Sequence, residues 1–399
     1  KRKIQKPTRF ERMYKVWDYL RKNTDRRHPT SIAKMRKDEN INAYIGDKET
    51  INRLLKDMAN IMNLEDGGSD YKPEAEWRLY FDDFKKFYGD KERYERDDSD
   101  EDDSYIANVM RIKNLYYNRT FSEKEVDSII EGIMATRTLD SKSAQELVRK
   151  VEDNMTTVFY KRTPRHICKV QEPELADREL LKDNLAIIQK AIDDNVRIQF
   201  RFNGYSYEKK LEPVREESDE LSPYYIVASG GKYYLLAAKE YEGYKPNMSI
   251  WRIDLMTDIE IPGRNDRLHI KGIPRIPKKN VSNLPEKWSE DFQLKHLNMS
   301  FDKPVPVTLR IKSEKCEGNP KKRVRPGYTF LHDWFGDSFT YIRTEKEPPY
   351  DDIVRVECSP YGMAHWALQY SELVEVLEPE SLREDIKNKI KALNEKYSL

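Results

Sequence analysis

The strongest constraint on the fold of this chain is a tyrosine-rich segment from Leu221 to Met256. Two runs rich in Tyr, Ile, Val and Leu flank the pair Gly230-Gly231, and glycines readily adopt the positive φ angles of a two-residue turn. The segment therefore predicts an antiparallel β-hairpin. Since side chains alternate along strands and match across them, the predicted faces are Tyr225, Val227, Tyr234 and Leu236 on one side, and Tyr224, Ile226, Ala228, Tyr233 and Leu235 on the other.

The strands on either side of this hairpin place polar residues on one predicted face. The run Val196 to Phe202 alternates between polar and apolar residues, with Gln199 and Arg201 pointing outward. After the hairpin, Arg252 and Asp254 point to the face opposite their apolar neighbours. This charged face fits a partly charged site on the wall of a barrel.

The charge of the chain is unevenly distributed, although its net formal charge is only +1 over 399 residues. A chain of this length allows two to four domains. Residues 1–65 carry 17 Lys and Arg against 9 Asp and Glu, whereas residues 90–104 carry 3 against 9. The N-terminal segment is therefore the electrostatic candidate for nucleic acid, and the acidic run is interpreted as a surface insertion.

The cysteines and the hydropathy indicate the cellular compartment of the chain. Cys168, Cys316 and Cys358 are widely spaced and form no CxxC pair, so neither a disulfide framework nor a zinc site is predicted. No apolar run approaches the length of about 18 residues that a membrane span needs. A cytoplasmic protein without membrane contact is expected.

Helical periodicity dominates the N-terminal segment. Apolar residues recur at helical spacing from Phe10 to Lys22, a short helix is predicted after Pro29, and a third helix begins after the candidate N-cap Asp47. Three short helices with a basic face on the third are what a helix-turn-helix requires. The DNA contacts predicted on that face are Lys48, Thr50, Asn52, Arg53 and Lys56. An ordinary solvated helix face is the alternative interpretation.

These segments resemble three parts of one family. The hairpin and the arginine after it resemble the core of a WYL domain, a regulatory module of bacterial transcription factors, with the name motif at Tyr233-Tyr234-Leu235. The segment 50–55, reading TINRLL, resembles the recognition helix of the winged helix-turn-helix in these regulators, with Leu54 in place of the usual aspartate. Residues 361–368 and 373–379 resemble the family's C-terminal extension.

The resemblance implies an α+β multidomain chain with four parts. It implies a winged helix-turn-helix domain at 1–118 that includes the acidic insertion at 90–104, with a returning wing strand at 110–117. A helical connector at 119–182 and an Sm-like β-barrel, the WYL sensor domain, at 183–275 follow. A ferredoxin-like α/β extension at 276–399 is expected to pair protomers into a homodimer. In its last helix the predicted buried stripe is Leu382, Ile386, Ile390, Leu393 and Tyr397.

The barrel is predicted to hold a ligand site for a nucleotide or a single-stranded nucleic acid. Arginine offers bidentate contacts to phosphate, and tyrosine offers a surface on which bases stack. The predicted lining is Gln199, Arg201, Tyr224, Tyr234, Arg252 and Asp254. Arg252 matches the family's arginine between an aromatic and an aliphatic residue. The tyrosines could instead be packed barrel residues, and Gln199 and Arg201 could form a solvated strand face.

Enzyme motifs are absent from the sequence. There is no P-loop, no GxGxxG, no GxSxG and no HExxH, and the six histidines are scattered. No catalytic residue, metal ligand or cofactor is predicted. The expected function is a dimeric, ligand-responsive transcriptional regulator that binds double-stranded DNA. The alternative is an accessory nucleic-acid-binding protein of a phage-defence or CRISPR-type system that acts on an effector rather than on a promoter.

Overall fold

The computed structural model describes residues 7–65, 70–82, 112–136, 139–162, 178–313, 315–316, 319–323 and 327–397. The chain forms two compact units, residues 1–173 and 174–399. The predicted acidic insertion at 90–104, the first part of the predicted wing strand, Met110 and Arg111, and Cys168 lie outside the described residues. The finer division into four domains stays a prediction.

The first unit begins with four helices, which are α1 (Arg9–Asn23), α2 (Ile32–Lys37), α3 (Asn42–Ile45) and α4 (Lys48–Asn63). Thr8 and Glu11 form a capping box at the start of α1, and the Asp47 side chain accepts a hydrogen bond from the backbone N–H of Thr50 at the start of α4. The predicted N-cap at Asp47 is therefore confirmed. The helices enclose a core whose fully buried members include Val16, Leu20, Met35, Ile45, Ile51, Leu55 and Met58.

A pair of short strands follows the four helices in the first unit. Strand β1 (Leu79–Tyr80) pairs antiparallel with β2 (Tyr116–Tyr117), and Leu115 exchanges backbone hydrogen bonds of 2.8 and 3.1 Å with Thr30. Buried Asn63 at the end of α4 fixes β1, because its amide donates to the Leu79 carbonyl and accepts from the Leu79 N–H. Residues 112–117 of the predicted wing strand are described. Among them, Tyr116 and Tyr117 form the β-pairs of a regular strand.

The described remainder of the first unit holds a helix pair, α5 (Glu123–Ala135) and α6 (Ser141–Met155). The run Ser122-Glu123-Lys124-Glu125 has the sequence pattern of a capping box, and its first and last residues form one at the start of α5. Val126 and Ile130 of α5 pack against Val148 and Val151 of α6. The helical character expected of the connector is therefore present up to Met155.

The second unit opens with helix α7 (Arg178–Asp194) and a curled antiparallel sheet. Its strands are β3 (Ile198–Tyr205), β4 (Leu211–Pro213), β5 (Asp219–Ser229), β6 (Lys232–Ala238), β7 (Met248–Arg252) and β8 (Met256–Glu260). The order is β4-β3-β5-β6-β7, and β8 turns back to pair with β3, so the sheet curls into a half-barrel. Ile198, Phe200, Leu235 and Ile253 lie in its core together with Ile188 of α7.

The predicted hairpin is confirmed, with one shift of register. Gly230 and Gly231 both have positive φ angles at the turn between β5 and β6, and Val227 lies opposite Tyr234 as expected. A β-bulge between Pro223 and Tyr225 interrupts the pairing. The alternation of side chains changes at a bulge, so Tyr224 packs against Ala238 rather than with Leu235. The predicted face of Tyr224 was therefore wrong.

The last part of the second unit is a four-stranded antiparallel sheet with helices. After α8 (Phe292–Lys295), the elements are β9 (Val305–Ile311), β10 (Lys315–Cys316), β11 (Asn319–Arg323), α9 (Thr329–Phe335), β12 (Thr340–Thr344), β13 (Asp352–Cys358), α10 (Pro360–Gln369), β14 (Val374–Glu378) and α11 (Glu380–Tyr397). The strand order is β12-β13-β9-β14. Fully buried Trp366 of α10 lies in the core beside Phe335 and Leu331. The mixed α+β class expected from the sequence is confirmed.

The stripe of α11 is only partly buried. Leu382 is buried and Ile386 packs against the core, whereas Ile390, Leu393 and Tyr397 are exposed. The prediction of a fully buried stripe was therefore wrong for these three residues. An amphipathic pattern indicates that a helix has an apolar face, but it does not place the partner surface in the same unit. Among the described residues, no helix is at once long enough and apolar enough to cross a lipid bilayer.

Candidate functional site

The centre of the candidate site is an ion pair at the end of β7. The Arg252 guanidinium bonds both carboxylate oxygens of Asp254, with Nε 3.2 Å from Oδ1 and Nη2 2.5 Å from Oδ2. The Asp254 side chain is 1% exposed and that of Arg252 is 29% exposed. The Arg252 guanidinium is therefore anchored by a buried anion, while the arginine side chain stays partly exposed.

Two buried amides hold the turn that carries Asp254. Residues 253–255 form one turn of 3-10 helix between β7 and β8. The side-chain amide of Asn184, on α7, donates to the carbonyls of Ile253 and Met256 at 3.3 and 2.9 Å. The amide of Asn203, on β3, donates to the Leu255 carbonyl at 3.0 Å. These bonds fix the backbone on both sides of Asp254. They thereby fix the position of the Asp254 carboxylate, which orients the Arg252 guanidinium.

Neither amide was found from the sequence. Asn184 interrupts an apolar helical stripe between Leu181 and Leu185, and Asn203 ends the alternating run of β3. A polar residue at a core position must bind something, so each interruption was a signal that such a bond exists. The partner was not predictable, because it lies more than 50 residues away in each case.

The surroundings of Arg252 keep it charged. Burial alone would lower the pKa of Arg252, but its hydrogen bonds to Asp254 and the charge of Asp254 raise that pKa above the ordinary value, with smaller contributions from Tyr234 and Tyr205. Asp254 engages Nε and Nη2, and within the described residues Nη1 has no hydrogen-bond partner. A permanent cation with a free N–H edge is suited to phosphate.

Tyr234 lies beside this cation. It is directly opposite Arg252 in the pairing of β6 with β7, and opposite Val227 in the pairing of β6 with β5. Its ring packs against the apolar cluster that contains Val227 and Leu236. The structure therefore brings together three of the six predicted ligand contacts, Tyr234, Arg252 and Asp254. Tyr205, at the exposed end of β3, is a neighbour that the sequence reasoning missed.

The other three predicted contacts have different surroundings. Tyr224 is buried, and its hydroxyl donates to the Ile276 carbonyl at 2.7 Å, which is the packed-tyrosine alternative. Gln199 lies between Glu220 and Glu260 in the sheet. Arg201 is half-exposed, with its Nε 3.8 Å from Oδ2 of Asp258. A ligand contact by Gln199 or Arg201 stays a prediction.

The candidate DNA-facing surface is the N-terminal half of α4. Lys48, Thr50 and Arg53 are exposed, and Lys56 is partly buried. The Arg53 guanidinium forms an ion pair with Glu49 one turn earlier, at 2.8 Å. Such an exposed pair contributes little to stability, so Arg53 can exchange this partner for a phosphate at small cost.

Asn52 does not belong to that surface. Its side chain is fully buried in the helical core of the first unit. The buried stripe of α4 includes both Ile51 and Asn52, and is therefore wider than the apolar residues alone predicted. Predicting Asn52 as an accessible DNA contact was wrong in this structure.

Metal binding and thiol chemistry find little support among the described residues. No group of three or more His, Cys, Asp and Glu side chains there could hold a metal ion. Cys358 is buried, and burial raises the pKa of its thiol to about 12, so that thiol stays protonated and unreactive near neutral pH.

The family comparison concerns the C-terminal part of the chain. Residues 303–393 match the WCX domain family. This segment contains β9 to β14 and most of α11. The expected C-terminal extension of a WYL-type chain is thereby confirmed as a segment that is similar to the WCX domain family. No curated protein sequence matches the chain.

Two solved structures are similar at low identity. Proteasome accessory factor B/C (PafBC) of Arthrobacter aurescens is 17% identical, with a TM-score of 0.23 over 72% of this chain and 39% of its own. A CRISPR Cas-related protein is 13% identical, with a TM-score of 0.29 over 74% of this chain and 78% of its own. This chain thus matches only 39% of the PafBC chain. At these TM-scores neither likeness supports a conclusion about function.

We predict that Asp254→Asn destabilises the second unit by about 2 kcal/mol, because it leaves a half-buried arginine without its anion. The matched change Asp258→Asn, in the exposed pair with Arg201, should alter stability by less than about 0.5 kcal/mol. Urea unfolding followed by circular dichroism measures both. Equal effects of the two substitutions would contradict the anchoring role of Asp254.

Proposed function

We propose that this chain, whose residues 303–393 are similar to the WCX domain family, is a DNA-binding transcriptional regulator. Its N-terminal unit binds duplex DNA, and its barrel senses a nucleotide or a single-stranded nucleic acid. The protein is a homodimer that needs no cofactor and catalyses no reaction.

The observation that carries the proposal is the exposed basic start of α4. In a winged helix the third main helix enters the major groove with its N-terminal residues, and a two-stranded wing lies beside it. Here α1, α2 and α4 provide the helices, and the pairing of β1 with β2 fits the base of a wing. The bridge between Thr30 and Leu115 adds the short strand that such domains have between their first helices. Lys48, Thr50 and Arg53 would then contact phosphates and base edges.

The ligand proposal is supported by the pairing of a fixed cation with an aromatic ring. Arg252 offers a free N–H edge to phosphate, and Tyr234 offers a ring beside it for a base. The helix followed by a curled sheet, in which β8 returns to β3 after a 3-10 turn, fits an Sm-like barrel. Because the turn between β7 and β8 joins the hairpin strands to the strand that returns to β3, a ligand on Arg252 would bind beside the turn on which the curl of the sheet depends.

The homodimer is supported by the C-terminal sheet and its last helix. The strand order β12-β13-β9-β14, with α9 and α10 in the connections, is the order of a ferredoxin-like fold. The stripe of Ile390, Leu393 and Tyr397 exposes apolar surface that a second copy would cover. A two-fold symmetric dimer presents two copies of α4 to two DNA half-sites.

We predict that the double change Lys48→Ala and Arg53→Ala weakens duplex binding at least about tenfold and lowers the salt dependence of binding by about two counterions. Fluorescence anisotropy with labelled duplex from the gene's own upstream region, measured across a salt series, tests this. Lys142→Ala, on α6, is the control for an exposed cation outside the DNA surface. Unchanged duplex affinity would contradict the role of α4, and single-strand binding without duplex preference would favour the accessory-protein alternative.

We predict that Arg252→Ala weakens binding of thymidine monophosphate about tenfold or more, since it removes a charged hydrogen bond to phosphate. Arg252→Lys should recover part of the affinity, because it keeps the charge and loses the planar fork. Calorimetric titration measures affinity, and circular dichroism checks that each variant is folded. Affinity equal to that of the unsubstituted chain would remove Arg252 from the site.

A further inference from the structure

We infer that Glu49 and Arg53 of α4 form one base-reading unit that selects a C·G base pair in duplex DNA. In this unit Arg53 binds the guanine and Glu49 binds the cytosine. The inference rests on the proposed duplex binding by α4, and it names the base pair that this helix recognises.

Burial leaves few side chains at the start of α4 that can read a base. Half of residues 48–55 are buried, namely Ile51, Asn52, Leu54 and Leu55. The other half reach the surface, and these are Lys48, Glu49, Thr50 and Arg53. A lysine is a flexible point charge, and a threonine hydroxyl bonds donors and acceptors alike. Directional reading of a base therefore depends on the carboxylate and the guanidinium.

Glu49 and Arg53 are held together on the exposed face of α4. Residues four apart on a helix lie on the same face. Nη2 of Arg53 lies 2.8 Å from Oε1 of Glu49, and their side chains are 55% and 43% exposed. The carboxylate thus orients the planar guanidinium before DNA arrives. The contact uses one nitrogen and one oxygen, so further N–H donors and a second acceptor oxygen stay available to a ligand.

The donors and acceptors of this pair match one base pair. In the major groove guanine presents two acceptors, O6 and N7, and its cytosine presents the N4 amino donor beside them. A guanidinium offers two parallel N–H donors to guanine, and a carboxylate accepts from the cytosine amino group. An A·T pair puts an amino donor on the adenine and an acceptor on the thymine. Both groups would then face the wrong partner.

The charge of the pair favours a base over a phosphate. Glu49 and Arg53 together carry no net charge, so the pair as a whole is only weakly attracted to the DNA backbone. If Arg53 left Glu49 for a phosphate, an unpaired carboxylate would remain beside the backbone and be repelled by it. A guanine edge is uncharged, and binding to it leaves the ion pair intact.

Glu49 also has a second effect, which does not depend on DNA. It lies in the first turn of α4, where a negative charge stabilises the helix dipole. That effect would be the same for every duplex sequence. Discrimination between base pairs therefore separates the base-reading role of Glu49 from its contribution to helix stability.

The test begins with the full chain and affinity selection from duplexes with a randomised centre. Every base pair of the selected duplex is then changed in turn, and binding is followed by fluorescence anisotropy. The costliest single change should fall on a C·G pair and weaken binding at least about fivefold. Replacing its guanine by 7-deazaguanine, which lacks the N7 acceptor, should weaken binding as well.

Variants assign this discrimination to the two residues. Glu49→Ala should reduce the penalty at that pair to about twofold or less, while affinity for unrelated duplex rises and salt dependence increases by about one counterion. Arg53→Lys should lose the discrimination with unchanged salt dependence, because it keeps the charge and loses the fork. Glu146→Ala, which removes an exposed carboxylate of α6, is the matched control and should change none of these quantities. Circular dichroism checks that each variant is folded.

The outcomes separate this inference from the proposed function. Duplex binding without a C·G pair among the costly positions, or an undiminished penalty in Glu49→Ala, overturns the inference and leaves α4 as a DNA-binding helix. Absence of duplex binding by the unsubstituted chain, even at low salt, overturns the proposed function and this inference together.

Discussion

The candidate ligand site depends on the turn between β7 and β8. This turn joins the last strand of the hairpin sheet to the strand that pairs back with β3, so it determines how far the sheet curls. Amides from α7 and β3 hold it, and its buried carboxylate directs Arg252 outward. Burying half of a cation destabilises the fold, because the charge loses hydration, unless an anion is paired with it. The Asp254 pairing offsets that cost while it leaves an N–H edge of Arg252 for an anion.

The sequence predicted those parts of the structure that depend on local periodicity. The hairpin about Gly230-Gly231, the pairing of Val227 with Tyr234 and the caps at Asp47 and Ser122 follow from turn and capping chemistry over a few residues. The proximity of Arg252 and Tyr234 then follows from strand register. Strand register was therefore sufficient to place Tyr234 beside Arg252, whereas Asp254, expected to continue the alternating strand, lies buried in a 3-10 turn.

What could not be predicted depends on long-range packing. The bulge that redirects Tyr224 adds one residue to a strand, and nothing in its local pattern marks the position. Asn52 is buried because the surrounding helices cover more of α4 than its apolar residues indicate. Asn184 binds carbonyls that lie 69 and 72 residues further along the chain. In each case the local sequence shows the residue type but not its neighbours.

The central claim is that one chain couples a ligand on the barrel to duplex binding. A ligand can change duplex affinity only if it binds two states of the protein with different affinity. The most direct measurement is fluorescence anisotropy of the full chain on its labelled upstream duplex, with and without a saturating short single strand. The account predicts specific duplex binding whose affinity changes several-fold when the single strand is added. Duplex affinity that is unchanged at saturating single strand would contradict it.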